Sequence, residues 1–117
     1  MGAITGRTLT VLVLSLGTTA LAAPDGVLQA DQTILEAHQH LVAAGWQPAP
    51  TQTPSERERA WAAVTLRSLS SCSGSGAGFC RFDYQRQHQR LSVVTVPSKP
   101  GQASIGRVNR WLSLIHI

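Results

Sequence analysis

The stretch Cys72-Ser-Gly-Ser-Gly-Ala-Gly-Phe-Cys80-Arg-Phe-Asp-Tyr84 decides the fold, because it leads from a flexible loop directly into an alternating strand. Its first half places glycine, serine and alanine between two cysteines, which is the composition of a turn. In its second half, apolar and polar residues alternate, as in a strand with one buried face. We therefore expect a hairpin that turns one set of side chains toward the core: Cys80, Phe82 and Tyr84.

The N-terminus carries the three parts of an export signal. Arg7 provides the positive charge, residues 9–16 form an apolar run, and Ala20-Leu21-Ala22 is a cleavage site made of small residues. The apolar run is much shorter than the ~20 residues that a membrane-spanning helix needs, so a retained anchor is the less favoured interpretation. We therefore expect residues 1–22 to be a signal peptide and the mature chain, beginning at Ala23, to be periplasmic or secreted.

Export determines how the only two cysteines, Cys72 and Cys80, are interpreted. Exported chains meet oxidants, and two cysteines across a short turn form a disulfide far more often than a pair of reactive thiols. Their spacing is too long for the C-x-x-C motif of redox proteins. Closing a loop of about nine residues stabilises a small domain by roughly 2.5 kcal/mol, so we expect this disulfide to support the fold.

Upstream of the hairpin, the sequence predicts two helices separated by an extended linker. Asp31 can cap the first helix, and Gly45 is suited to end it in a left-handed conformation. The apolar stripe of this helix consists of Ile34, Leu35, His38, Leu41 and Val42. The prolines in residues 47–54 exclude a regular helix there, and Ser55 with Glu58 forms a capping box that opens the second helix.

From the hairpin onward, three segments favour strands: residues 79–85, 91–96 and 105–111. Residues 67–72 are short, and their pattern is ambiguous. The order ααβββ predicts an α+β domain, in which two N-terminal helices pack on one face of a small antiparallel sheet with one disulfide.

The final residues, 112–117, can be written as the codons CTG TCT CTT ATA CAC ATC. That string resembles the transposon-end adapter used in shotgun sequencing libraries. We expect these residues to be translated adapter and the native chain to continue past Trp111; the alternative is a genuine apolar terminal strand. No function is therefore assigned to His116. The remaining residues, 23–111, are enough for one small domain and not for two, so we expect a single domain.

The formal net charge is +4, and nearly all of the positive charge is arginine, since Lys99 is the only lysine. Acidic residues lie mostly in the first half of the chain, so the second half is a basic unit. The candidate residues for binding an anionic partner are Arg81, Arg86, Arg90, Arg107 and Arg110. Alternation places Arg81 and Asp83 opposite the apolar residues of the strand, and the planar fork of arginine suits carboxylates and phosphates. The alternative is an ordinary solvated sheet face.

The partner predicted from this charge is an anionic component of the cell envelope or another exported protein. Lipopolysaccharide, an acidic polysaccharide and a carboxylate-rich protein all fit. We expect no binding of nucleic acid by an exported protein in which no predicted helix carries a run of arginines and aromatic residues are too few for a stacking platform. After cleavage of the signal, no segment is long or apolar enough to span a membrane.

The sequence offers little catalytic or metal-binding chemistry. His38 and His40 point to different faces of a helix, and Glu36 with His40 alone makes a poor zinc site. The glycine loop lacks both the lysine and the following helix of a phosphate-binding loop. No serine sits on a nucleophile elbow that could work with Asp83 and His88. We therefore expect no catalytic residue, no metal and no cofactor.

Three segments together resemble a group of small exported cyanobacterial proteins of unknown function: the cysteine stretch, Gln89-Arg-Leu-Ser-Val-Val-Thr-Val96 and Ala44-Gly-Trp-Gln-Pro48. The likeness covers about half of the mature chain and rests on the spacing of the two cysteines and on Gly45-Trp46. It implies a periplasmic or secreted α+β domain that contains a disulfide. It carries over no catalytic residue.

These observations predict an exported, non-catalytic binding or structural module of the cell envelope. The alternative is a secreted enzyme, or an accessory or inhibitor subunit of one. A polar cleft with two convergent titratable groups would favour the enzyme, whereas a flat sheet face rimmed by arginine would favour binding.

Overall fold

The computed structural model describes residues 26–73 and 76–115, which form two helices and a five-stranded antiparallel sheet. In chain order the elements are α1 (Ile34–Ala43), β1 (Gln47–Pro48), α2 (Glu56–Ala62), β2 (Leu69–Cys72), β3 (Cys80–Arg86), β4 (Gln89–Pro97) and β5 (Gly106–Ile115). The expected signal peptide at residues 1–22 and the residue His116 lie outside this described part. No helix within the described ranges is long and apolar enough to cross a membrane.

The predicted α+β arrangement ααβββ, with two N-terminal helices packed together on the sheet, is wrong, because the domain is mostly β and its helices and strands interleave. β1 separates the two helices, and β2 follows α2. Both strands pair with β3 along one edge, where Gln47 lies opposite Gln85 and Leu69 lies opposite Phe82. Pro48 is tolerated in β1 because an edge strand does not need every N–H donor.

The two helices also pack against different parts of the sheet. α1 contacts β5 and α2 contacts β2, so they do not form one layer as the predicted arrangement required. β1 and β2 are only two and four residues long, which is too short for an alternating pattern to distinguish a strand from an extended linker.

The sheet has the order β1–β3–β4–β5. β2 pairs with the same edge of β3 as β1 does, but with the first residues of β3, whereas β1 pairs with the last ones. The predicted core-facing residues of β3, Cys80, Phe82 and Tyr84, are all buried, and Asp83 between them is buried as well. Leu91 and Val93 continue this apolar face on β4. The core therefore lies on one face of the sheet, beneath α1.

The apolar stripe of α1 is narrower than predicted. Ile34 and Leu41 are fully buried, as is Ala37, whereas Leu35 and Val42 are exposed. A helix that packs on a small sheet contacts it along a narrow line. Apolar side chains at the edges of its apolar stripe, here Leu35 and Val42, therefore remain in solvent.

The helix ends follow local side-chain chemistry. α1 begins after Thr33, not after Asp31, because Thr33 and Glu36 satisfy each other's backbone N–H groups in a capping box. The N–H of Asp31 instead donates to the Val108 carbonyl at 2.8 Å and covers the start of β5. Gly45 has a φ of 94°, as expected for the residue that ends this helix.

The second capping box, formed by Ser55 and Glu58, is also present. α2 is short, because Ala63 adopts the left-handed conformation with a φ of 58° and stops it. The predicted disulfide between Cys72 and Cys80 is confirmed, with the two sulfurs 2.07 Å apart across β2 and β3.

Candidate binding surface

The face of the sheet turned away from α1 carries four of the five candidate arginines: Arg81, Arg90, Arg107 and Arg110. In one cross-strand row, Arg81 lies opposite Val94, and Val94 lies opposite Arg110. Adjacent strands are about 4.8 Å apart, so the Cα atoms of the two arginines are separated by about 10 Å. We refer to these four residues as the arginine face.

A β-bulge brings Arg107 to the same face as Arg110. The pairing register of β5 shifts between Val108 and Arg110, so the strand contains one extra residue at this point. Without that residue, side chains three positions apart would point to opposite faces of the sheet. Arg107 Nη1 donates to the Asp31 carbonyl at 2.8 Å, which holds one end of its guanidinium at the segment before α1.

Asp83 is the carboxylate of this face and is only 3 % exposed. Arg81 donates from Nε to Asp83 Oδ2 at 3.1 Å. The hydroxyl of Ser70 donates to the same oxygen, and the hydroxyl of Ser92 donates to Oδ1 at 2.5 Å. A buried carboxylate requires such partners. The arrangement fixes the base of the Arg81 guanidinium, while the Arg81 side chain remains 42 % exposed.

The linker after β1 forms one margin of the arginine face. The Ala49 N–H donates to the Asp83 carbonyl at 2.9 Å and holds the linker against β3. Arg81 Nη2 donates to the Thr51 hydroxyl, and Arg90 Nη2 donates to the Ala49 carbonyl at 3.1 Å. Both arginines are therefore pre-oriented by contacts with the linker before any ligand arrives.

Arg86 does not join the other four arginines. Its guanidinium carbon lies 4.5 Å from the centroid of the buried Trp46 ring, a distance at which the cation is attracted to the ring face. Nη1 donates to the Ala44 carbonyl at 3.1 Å, and Nη2 donates to Gln89 Oε1 at 2.9 Å. Arg86 therefore fastens the end of α1 to the turn between β3 and β4.

Apolar side chains accompany the arginines on β5. The Arg110 guanidinium carbon lies 5.4 Å from the centroid of the Phe79 ring. Leu112 and Leu114 follow on the same face and are 60 % and 53 % exposed. These two leucines belong to the segment interpreted above as adapter, so no binding role is assigned to them.

A second convergence of polar side chains lies beneath α1. Ser68 donates to the Tyr84 hydroxyl at 2.9 Å, and that hydroxyl lies 2.8 Å from His38 Nδ1. Burial raises the pKa of Tyr84 to about 12 and lowers the pKa of His38. Ser68 and Tyr84 are fully buried, so a substrate in solution does not reach either hydroxyl. This chain of hydrogen bonds fastens α1 to the sheet.

Glu36 and His40 of α1 form hydrogen bonds with different partners, so they do not form a joint metal site. Glu36 accepts from Thr33 in the capping box, and His40 Nδ1 lies 2.9 Å from Gln32 Nε2. Among the residues that the structure describes, no group of three or more histidine, cysteine or acidic side chains could hold a metal ion.

Sequence reasoning missed the residues that orient Arg81, namely Ser70, Ser92 and Thr51. The spacing Arg81-x-Asp83 on one strand face was a usable signal, because residues at i and i+2 are neighbours there. Ser70 carried no such signal, since it reaches Asp83 only where β2 departs from regular register. Ser92 lies directly opposite Asp83 on β4, a register that the sequence pattern alone did not specify. The chain matches no family model, no curated protein and no solved structure.

Proposed function

We propose that this chain is an exported, non-catalytic binding module of the cell envelope, and that its arginine face binds an anionic partner. The observation that carries the proposal is that Arg81, Arg90, Arg107 and Arg110, from three adjacent strands, share one face of the sheet, and that Asp83 pairs with Arg81 alone among them. Export itself rests on the sequence of residues 1–22 and on the resemblance to small exported cyanobacterial proteins. The disulfide supports it, because such bonds persist outside the reducing cytoplasm.

The geometry favours a ligand with several spaced anionic groups over a single small anion. Arg81 and Arg110 flank Val94 with about 10 Å between their Cα atoms. Arg107, near the start of β5 and opposite Val96, adds a third cation farther along the same strand as Arg110. An acidic polysaccharide presents carboxylates at regular intervals along a flexible chain, and arginine forks bind carboxylates with two parallel hydrogen bonds.

The direct test is binding of polygalacturonate, an acidic polysaccharide, to the mature protein at low and at high salt. We expect measurable binding that weakens as salt rises, because exposed charges are screened. Replacing Arg107 and Arg110 together with glutamine should weaken binding by roughly tenfold, since two exposed ion pairs contribute about 0.5–1 kcal/mol each.

The matched control replaces Arg57, on α2, and Arg67, on the segment after α2, with glutamine; both are exposed and neither lies on β3, β4 or β5. This variant has the same net charge as the test variant and should bind as the parent does. Arg86 is left unchanged, because its removal would loosen Trp46. Absence of binding by the parent at low salt, or equal losses in both double variants, would refute the role of the arginine face.

A further inference from the structure

A groove that contains none of the four residues of the arginine face lies between the linker and the end of α2. It encloses about 590 Å³, a size typical of small-molecule sites. Its floor is made by Val64 and Leu69, which belong to the hydrophobic core, and its walls include Pro54 and Ala60. Carbon atoms therefore form most of the surface that a ligand would meet.

The walls of this groove are held in place by hydrogen bonds. Arg59 Nη1 donates to the Pro54 carbonyl at 2.7 Å and holds the Arg59 side chain against the residue that precedes the cap of α2. On the other side, the Thr51 N–H donates to Ser70 Oγ at 2.9 Å and fixes the linker to β2. A recess held open in this way requires little reorganisation when a ligand binds.

The charge around the groove has one sign. Arg59 and Arg67 both line it, and none of the described residues that line it carries a carboxylate. The exposed side chain of Arg67 makes no hydrogen bond or ion pair with any described residue, so its guanidinium is available to a ligand. An apolar floor beside an available arginine is complementary to a molecule with a hydrocarbon chain and one anionic end.

We propose that this groove binds a long-chain carboxylate, with the hydrocarbon chain over Val64 and Leu69 and the carboxylate on Arg67. The test is calorimetric titration of the mature protein with dodecanoate, kept below the concentration at which it forms micelles. Dodecyltrimethylammonium, which has the same chain and the opposite charge, should not bind. Dodecanol, which has no charge, should bind more weakly than dodecanoate.

Two variants locate the site. Ala60→Phe places a ring in the groove from an exposed helix position and should abolish binding, whereas Arg67→Gln should weaken it at least fivefold. The matched control is Arg57→Gln. Arg57 is an exposed arginine of α2 that does not line the groove, so this variant should bind as the parent does. Thermal unfolding establishes that each variant is folded.

The two sites are separable by experiment. The double variant Arg107→Gln, Arg110→Gln should bind dodecanoate with the affinity of the parent even though its binding of polygalacturonate is weakened. The carboxylate site is refuted if dodecanoate fails to bind the parent, if the cationic amphiphile binds equally well, or if folded Ala60→Phe and Arg67→Gln both retain parental affinity.

Discussion

Gly78 packs directly against the indole ring of Trp61, so there is no space for a side chain at this position. Its φ is +74°, and a Cβ built on it would lie 2.5 Å from Cζ2 of Trp61. The Gly78 carbonyl also accepts a hydrogen bond of 3.0 Å from the Trp61 indole N–H. The glycine loop is therefore required for close contact with α2, which the composition of the loop alone does not indicate.

We expect Gly78→Ala to lower the free energy of unfolding by about 2–4 kcal/mol, through left-handed strain and the clash with Trp61. Gly76→Ala is the matched control in the same loop, because Gly76 has a φ of +67° but a Cβ added there would meet no atom within 4 Å. It should cost only about 1–2 kcal/mol. Urea unfolding of both variants measures the difference, and equal losses would show that the contact with Trp61 contributes nothing.

His38 links stability to pH. Burial lowers the pKa of His38 in the folded chain, so the unfolded chain binds a proton more readily and acid favours unfolding. The stabilisation is present above the ordinary histidine pKa of about 6.5 and is lost as the pH falls through the lowered value. A protonated His38 carries an N–H at both ring nitrogens, so Nδ1, which lies 2.8 Å from the Tyr84 hydroxyl, can then only donate to it.

We therefore expect His38→Asn to reduce the loss of stability between pH 7.5 and pH 5.5, compared with the parent. The free energy of unfolding in urea, measured at both pH values, provides the test. His88→Asn is the control, because His88 is exposed in the turn between β3 and β4. If the parent and His38→Asn respond identically to pH, the proposed role of this histidine is wrong.

Among elements, the disulfide hairpin organises α2 as well as β2 and β3. The Cys72 N–H donates to Glu58 Oε2 at 2.8 Å, and backbone hydrogen bonds from Ser55 and then Cys72 lower the pKa of Glu58. The carboxylate of the capping box therefore serves two elements at once. The start of α2 is fixed to the same strand end that the disulfide closes.

Replacing Cys72 and Cys80 together with alanine should lower the free energy of unfolding by about 2.5 kcal/mol, from the restored entropy of the open loop. Reduction of the parent with dithiothreitol should have a similar effect, and dithiothreitol should not change the double variant. Mass spectrometry of the non-reduced parent should show a chain lighter by the mass of two hydrogens than the reduced form. Two alkylatable thiols in non-reduced protein would contradict this.

The longer elements could be predicted from the sequence, and the shorter ones could not. β3 and β4 have clear alternation or β-branched composition, and the capping box of Ser55 and Glu58 marks the start of α2. The predicted cap of α1 at Asp31 is wrong, because sequence reasoning missed the box that Thr33 forms with Glu36. β1 and β2 form only because β3 offers them an edge, which is a tertiary effect that overrides local pattern. The bulge in β5, which aligns Arg107 with Arg110, likewise has no local signature in the sequence.

At the scale of the whole molecule, basic charge and apolar surface are distributed over separate regions. Four arginines from three strands lie on the open face of the sheet, while the groove with Arg67 lies beside α2. Clustering along the sequence is enough to predict the candidate set of arginines. Which of these arginines share a face depends on the alternation of side chains along each strand and on packing. Arg86, two residues after Tyr84, points to the same side of β3 as Tyr84 and stacks on Trp46, so it is separated from the other four.

Residues 112–117, interpreted above as translated adapter, begin within the last strand. β5 continues through Ile115 and pairs with β4, yet Leu112, Leu114 and Ile115 are at least half exposed. Ordering a residue costs about 1–2 kcal/mol, and a hydrogen bond returns about 0.5–1.5 kcal/mol, so pairing without burial is nearly neutral. A chain that ends at Trp111 should therefore keep its free energy of unfolding within about 1 kcal/mol of the full chain.

The control for this truncation is a chain that ends at Arg110. It loses Trp111, which is half-buried and packs against the core, so it should be destabilised by about 3 kcal/mol or more. Urea unfolding of the three chains distinguishes the outcomes. If the chain ending at Trp111 is as unstable as the chain ending at Arg110, the terminal residues contribute to the fold and their interpretation as adapter is wrong. A foreign segment can extend the backbone ladder of β5, because that pairing does not depend on side-chain identity, but it does not supply the burial that makes the ladder stable.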